Sequence, residues 1–130
     1  MFGERKKAVG VIGLGIIGSR VAANLREAKL HTYVWSRSPK PEPDFVASPA
    51  EMANLTERIQ IFVTDGPALL EVLNAMLPSL TPDHIVLNHS TIHPSQTREA
   101  AQLVEKTGAT FLDAPFTGSR EAAATGELCY

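Results

Sequence analysis

The stretch from Ala8 to Leu25, AVGVIGLGIIGSRVAANL, constrains this chain more than any other. Its opening run, Ala8 to Ile12, is apolar without polar alternation, which suits a strand covered on both faces at the centre of a parallel sheet. Glycines follow at Gly13, Gly15 and Gly18, so the strand should end near Gly13. From Ile17 the apolar spacing becomes helical: Ile17, Val21, Leu25 and Ala28 fall three or four apart and would pack one face back on the sheet.

Between a buried strand and an amphipathic helix, the glycines have separate uses. Gly13 permits the turn, Gly15 lets a ligand approach bare backbone, and Gly18 with Ala22 allows helix and strand to pack closely. The helix N-terminus attracts anionic oxygens through its N–H groups and its dipole, the dipole alone contributing about 0.3–2 kcal/mol. Gly13, Leu14, Gly15, Ile16, Ile17 and Gly18 are therefore the expected seat of a dinucleotide pyrophosphate.

His31 to Trp35 reads as the next strand, ending at Ser36-Arg37-Ser38. An NAD site usually places a carboxylate near this point for the ribose hydroxyls, yet no acidic residue occurs from Ala28 to Pro41. Arg37 lies where a 2′-phosphate would project, with Ser36 and Ser38 as further donors, which favours NADP over NAD. A solvated surface arginine is the plainer alternative.

Prolines at 39, 41 and 43 forbid a helix, and only the ten residues Pro39 to Ser48 precede the next helix start. An extended connection is expected, with Asp44 to Ala47 at most a short edge strand. Ser48-Pro49-Ala50-Glu51 then carries an N-cap, a proline at N1 and a capping-box glutamate, opening a short helix to about Asn54. Arg58 to Thr64 reads as a strand, and Asp65-Gly66-Pro67 leads into a helix ending at Met76 before Pro78.

His84 to His89 follows as a strand, Pro94 to Lys106 as a helix with Ala101, Leu103 and Val104 inward, and Ala109 to Leu112 as another strand. After these come the loop Asp113 to Ser119, a helical turn at Arg120 to Ala124 and a last strand at Glu127 to Tyr130. Thr64, Asp65 and Thr91 fall beyond strand carboxyl ends, where open α/β sheets bind ligands. Turn capping is an ordinary alternative for each of them, most of all for Asp65.

The expected architecture is α/β: one Rossmann-type domain over residues 1–130, doubly wound and mostly parallel, whose crossover after the second strand lacks its helix. A net charge of −2 gives no basic face for nucleic acid or an anionic membrane. Cys129 is the single cysteine, so neither an intrachain disulfide nor a cysteine-cluster metal site can form, and a reducing, cytoplasmic setting is expected. His84, His89 and His93 read as surface histidines pointing in different directions, so no metal site is expected.

Taken together, the motifs resemble those of the β-hydroxyacid dehydrogenase family, of the 3-hydroxyisobutyrate and 6-phosphogluconate dehydrogenase type. Gly13 to Gly18 with Val21-Ala22-Ala23-Asn24-Leu25 resembles its GLGxMGxxMAxNL signature, with Ile17 in place of methionine. Val34 to Ser38 resembles the VWNRT segment of NADP-preferring members, and Ser90 to Pro94 the STxxP loop, whose threonine, here Thr91, contacts cofactor. Asp113 to Ser119 resembles the DAPVSGG loop that holds the substrate carboxylate, which implicates Thr117, Gly118 and Ser119; Thr117 keeps the serine hydroxyl, while Ser119 replaces a glycine.

The resemblance implies hydride transfer between NADP(H) and a small 3-hydroxy acid or its aldehyde. It also implies a general acid/base lysine beyond Tyr130, in a GxxGxxxKxxNN segment, and a C-terminal helical domain that makes a homo-oligomer. No catalytic residue is thus expected within these 130 residues, and the piece alone should bind cofactor without turning over. Two other readings stay open: a non-catalytic NADP-binding module, and a domain like that of the imine reductases.

Overall fold

The computed structural model describes residues 8–114. Five parallel strands, β1 (Val9–Ile12), β2 (Thr32–Trp35), β3 (Arg58–Ile61), β4 (Ile85–Asn88) and β5 (Thr110–Asp113), form one sheet in the order β2-β1-β3-β4-β5. The helices are α1 (Ile16–Glu27), α2 (Pro49–Leu55), α3 (Gly66–Met76) and α4 (Pro94–Glu105). The chain leaves β1 toward β2 on one side and later returns to β3 on the other, so the order reverses between β1 and β3. Open α/β sheets bind their ligands in the crevice at such a reversal.

The two faces of the sheet are covered unequally. Val11, Leu14, Ala22 and Val34 make a small cluster under α1. Ile12, Ile59, Ile61 and Val86 point the opposite way and join Met52, Leu69, Leu73 and Val104 of the other three helices in the main core. This is the covering on both faces expected of a central strand with no polar alternation. Each large core side chain contributes about 1.5–3 kcal/mol by leaving water.

Local rules account for the helix starts. Ser48 Oγ accepts the Glu51 N–H at 3.1 Å, and the Glu51 carboxylate accepts the Ala47 N–H at 2.8 Å, so the box closes one residue before the cap. Asp65 caps α3 by accepting the Ala68 N–H at 2.9 Å. In α4 the buried residues are Ala100 and Val104, and Ala101 and Leu103 are only half-buried, which rotates the expected inward face by about a residue. Helix α1 stops at Glu27, leaving Ala28 exposed as its cap instead of inward.

After β2 the chain runs without a helix to Ser48, as the prolines require. Phe45 forms a single parallel bridge with Val34, closed by Val34 N–H to Asp44 O at 3.0 Å and Val46 N–H to Val34 O at 2.9 Å. A third strand on this side is thus reduced to one bridge. Arg26 of α1 steadies the connection, donating to Glu42 at 2.9 Å and to the Pro43 carbonyl at 2.8 Å.

The strands are shorter than the apolar runs that announce them. Phe62, Val63 and Thr64 lie beyond β3, which ends at Ile61, and His84 and His89 fall just outside β4. Both histidines are buried, contrary to the surface placement expected for them. His84 Nδ1 accepts the Thr81 N–H at 2.9 Å, which leaves Nε2–H to donate to the Ala53 carbonyl at 2.7 Å. A buried imidazole with both nitrogens paired is a packing element, and one of its partners, Ala53, lies 31 positions away.

Candidate functional site

The carboxyl ends of all five strands meet along one edge, where the residue following each of β1, β3, β4 and β5 donates one more N–H to a neighbouring strand. Gly13 N–H donates to Trp35 O at 2.8 Å, Phe62 N–H to Ile12 O at 2.7 Å, His89 N–H to Ile61 O at 3.0 Å, and Ala114 N–H to Asn88 O at 2.8 Å. The glycine turn sits at the reversal point of this edge. Gly13 has φ +95°, and a Cβ there would lie 1.7 Å from the Phe62 carbonyl oxygen. Only glycine lets β1 turn this close to β3.

The other two glycines behave differently from Gly13 and from each other. A Cβ on Gly18 would lie 1.8 Å from the Gly13 carbonyl oxygen, so α1 rests directly on the turn. A Cβ on Gly15 would meet nothing within 4 Å. Gly15 is the N-cap of α1 with no side-chain cap, and the Ser19 hydroxyl is engaged with Leu14 O at 3.0 Å. Backbone N–H groups at the start of α1 thus border an open space, the arrangement that receives a pyrophosphate.

Around the opening, Leu14 is buried, Ile17 half-buried and Ile16 60% exposed, forming an apolar lip at the helix start. At the tip of β2, Ser36 is buried and its hydroxyl donates to Ser38 O at 2.6 Å, so that proton is used within the turn. Ser38 and Arg37 are exposed. The Arg37 guanidinium reaches across to α3, pairing with Glu71 at 3.1 Å.

Thr64, Asp65 and Thr91 all lie on this carboxyl edge and are exposed; Asp65 is engaged in its cap. Beside them runs a hydrogen-bonded chain that the linear sequence did not announce. Ser90 Oγ accepts the Val63 N–H at 2.8 Å, Asn88 Oδ1 accepts the Ser90 N–H at 3.1 Å, and Asn88 Nδ2 donates to Asp113 at 2.9 Å. It fixes the loops after β3 and β4 relative to the end of β5. Asn88 and Ser90 are 25 and 27 positions from Asp113 and Val63, so local spacing carries no sign of these bonds.

His89 belongs to the same edge. Its ring stacks on Phe62 at 4.7 Å, its Nδ1 lies 2.8 Å from Ala114 O, and its Nε2 lies 3.0 Å from the Gln60 amide. Burial pushes its pKa below 6.5, against the raising influence of the Ala114 carbonyl and of Asp113. The carbonyl takes a hydrogen from Nδ1–H, and Nε2 faces the Gln60 amide oxygen Oε1. Because Phe62 also backs Gly13, the contact series Gly13, Phe62, His89, Ala114 joins the glycine turn to the start of the Asp113 loop.

Thr117, Gly118 and Ser119, with the expected helical turn at 120–124, Cys129 and the last strand, lie outside the described residues. Among the described residues there is no group of three or more His, Cys, Asp or Glu able to hold a metal. No described helix is long and apolar enough to cross a membrane.

Residues 8–130 match the family described as the NAD binding domain of 6-phosphogluconate dehydrogenase. The chain belongs to that family. Among curated relatives of this NAD-binding domain, the mitochondrial 3-hydroxyisobutyrate dehydrogenase of Mus musculus is 33% identical over 96% of the chain and 40% of its own length. The chain thus spans about two-fifths of that relative.

Solved structures agree on the fold. The Mycobacterium tuberculosis 3-hydroxyisobutyrate dehydrogenase with L-serine gives a TM-score of 0.88 at 23% identity, covering 95% of this chain and 45% of that one. An Aspergillus terreus reductive aminase in complex with NADPH and ethyl levulinate gives 0.82 at 22%, covering 90% and 43%. The chain is an NAD(P)-binding domain of the type found in 3-hydroxyisobutyrate dehydrogenase-like oxidoreductases.

Proposed function

We propose that this domain binds NADP(H) in preference to NAD(H), as the cofactor half of an oxidoreductase acting on a small 3-hydroxy acid or its semialdehyde. The observation that carries the reading is the open space at Gly15, bordered by the uncapped N-terminus of α1 and set at the reversal of strand order. Gly13 to Gly18 would hold the pyrophosphate, Arg37 and Ser38 the 2′-phosphate, and Thr64, Asp65 and Thr91 the groove beyond. Ser36 would serve there as an acceptor or through its backbone, since its proton is engaged.

The bound cofactor supplies or takes up hydride at its nicotinamide. This chain's own contribution is to bind and orient. Thr117, Gly118 and Ser119 would grip the substrate carboxylate, while proton transfer falls to a lysine outside these 130 residues, so the chain alone would not turn over. The complete enzyme would be a homo-oligomer. The lone cysteine suits a cytoplasmic or other reducing compartment. The fold shared with an NADPH-bound reductive aminase favours imine reduction as a second reading, against which the carboxylate-gripping loop weighs.

The test is titration with NADPH and NADH, read through Trp35, the single tryptophan, at the end of β2. A charge-assisted contact of roughly 1.5–3 kcal/mol corresponds to a preference for NADPH of about ten- to hundredfold, which Arg37→Ala should abolish. Equal affinity for the two in the unmutated chain refutes the role given to Arg37.

A further inference from the structure

The tip of β2 offers a guanidinium where many dinucleotide sites offer a carboxylate, yet the structure brings a carboxylate to the same place from another element. Glu71, in the second turn of α3, lies 3.1 Å from Arg37. Their side chains are 71% and 69% exposed, so neither is committed to the core and the pair can open. Helix α3 begins at the carboxyl end of β3, on the same edge as the glycine turn. The pair therefore links the tip of β2 to α3 at the carboxyl edge of the sheet.

We infer that Glu71 is a second determinant of cofactor choice: its carboxylate competes with the 2′-phosphate for Arg37 and offers the ribose hydroxyls of NAD(H) the acceptor that β2 lacks. The inference rests on the cofactor reading above. With NADP(H), Arg37 must turn from Glu71 to the phosphate, and two anions then share one cation. With NAD(H), the pair can stay closed while Glu71 accepts from a ribose hydroxyl. The separation of 34 positions between the partners explains why the region from Ala28 to Pro41, read alone, shows no carboxylate near Arg37.

A unit charge a few ångströms away at a protein surface is enough to change an affinity by roughly three- to tenfold. Glu71→Gln, which keeps the shape and removes the charge, is expected to tighten NADPH binding by about that factor and to weaken NADH binding. The NADPH-to-NADH affinity ratio should rise about tenfold, and the change in NADPH affinity should shrink in the Arg37→Ala background. Dissociation constants for the full 130-residue chain and its three variants (Glu71→Gln, Arg37→Ala and the double) provide the measurement, with thermal melting to verify that these exposed substitutions leave the fold intact.

An Arg37-dependent preference for NADPH whose ratio Glu71→Gln leaves unchanged overturns the role of Glu71 and spares the cofactor reading. A ratio that falls on Glu71→Gln overturns it as well. An unmutated chain that binds neither dinucleotide overturns both.

Discussion

Replacing Gly15 by alanine should separate binding from folding, while the same change two residues earlier should not. At Gly15, φ is −75° and an added Cβ meets nothing within 4 Å. Losing glycine at an N-cap costs roughly 0.5–1 kcal/mol, but alanine restricts the unfolded chain by about 0.4–1 kcal/mol, so the two nearly cancel. The melting temperature should move by no more than about 2 °C. The new methyl would occupy the space assigned to the pyrophosphate, and NADPH affinity should fall at least about tenfold, a loss of ~1.4 kcal/mol or more.

At Gly13 the same methyl would stand 1.7 Å from the Phe62 carbonyl oxygen, on a residue with φ +95°. The backbone conformation alone costs roughly 1–2 kcal/mol for an L-residue, and forcing β3 aside costs about 1–3 kcal/mol more. A total near 3–4 kcal/mol is a large share of the ~5–15 kcal/mol that stabilises a typical domain. Melting should drop by roughly 10–20 °C. Circular dichroism melts and NADPH titrations of both variants form the assay. A Gly15→Ala chain that binds NADPH as the parent does would refute the placement of the pyrophosphate, and a Gly13→Ala chain that melts with the parent would refute the close approach of β1 and β3.

Two further outcomes follow from the packing. His89 has a pKa lowered by burial, so below about 6.5 the unfolded chain takes up a proton there that the folded chain resists; stability should fall as the pH drops through that value and level off once the folded ring titrates. Denaturant melts between pH 5 and 8 should show this slope, and His89→Asn should flatten it while lowering stability at every pH. Ser48→Ala removes the acceptor for the Glu51 N–H at the start of α2, and urea melts should record a loss of about 1 kcal/mol with cofactor affinity unchanged.

The glycine turn, the capping box at Ser48 and the helix-free passage after Trp35 were all legible in the linear chain. Each depends on residues within a few positions of one another: a positive φ that needs glycine, a hydroxyl three residues before an amide, prolines with no hydrogen to donate. Strand lengths were overread, because an apolar run such as Ile61-Phe62-Val63 stays apolar beyond β3, which ends at Ile61. His84 and His89 were misread for a related reason, while His93 is exposed as expected. Whether an imidazole is buried depends on partners such as Ala53 or Ala114, and spacing within the local sequence carries no trace of them.

What the sequence determined by itself is a parallel α/β domain with an open backbone cradle at a glycine turn after its first strand, because backbone geometry and hydrophobic periodicity are short-range properties. Tertiary structure alone decided what stands around that cradle: Glu71 against Arg37, Phe62 against both Gly13 and His89, and Asn88 bonded to Asp113. These pairs exist because parallel crossovers return distant segments to a common edge. Charge balance and shape at the site are set there, by proximity between elements that the chain itself keeps far apart.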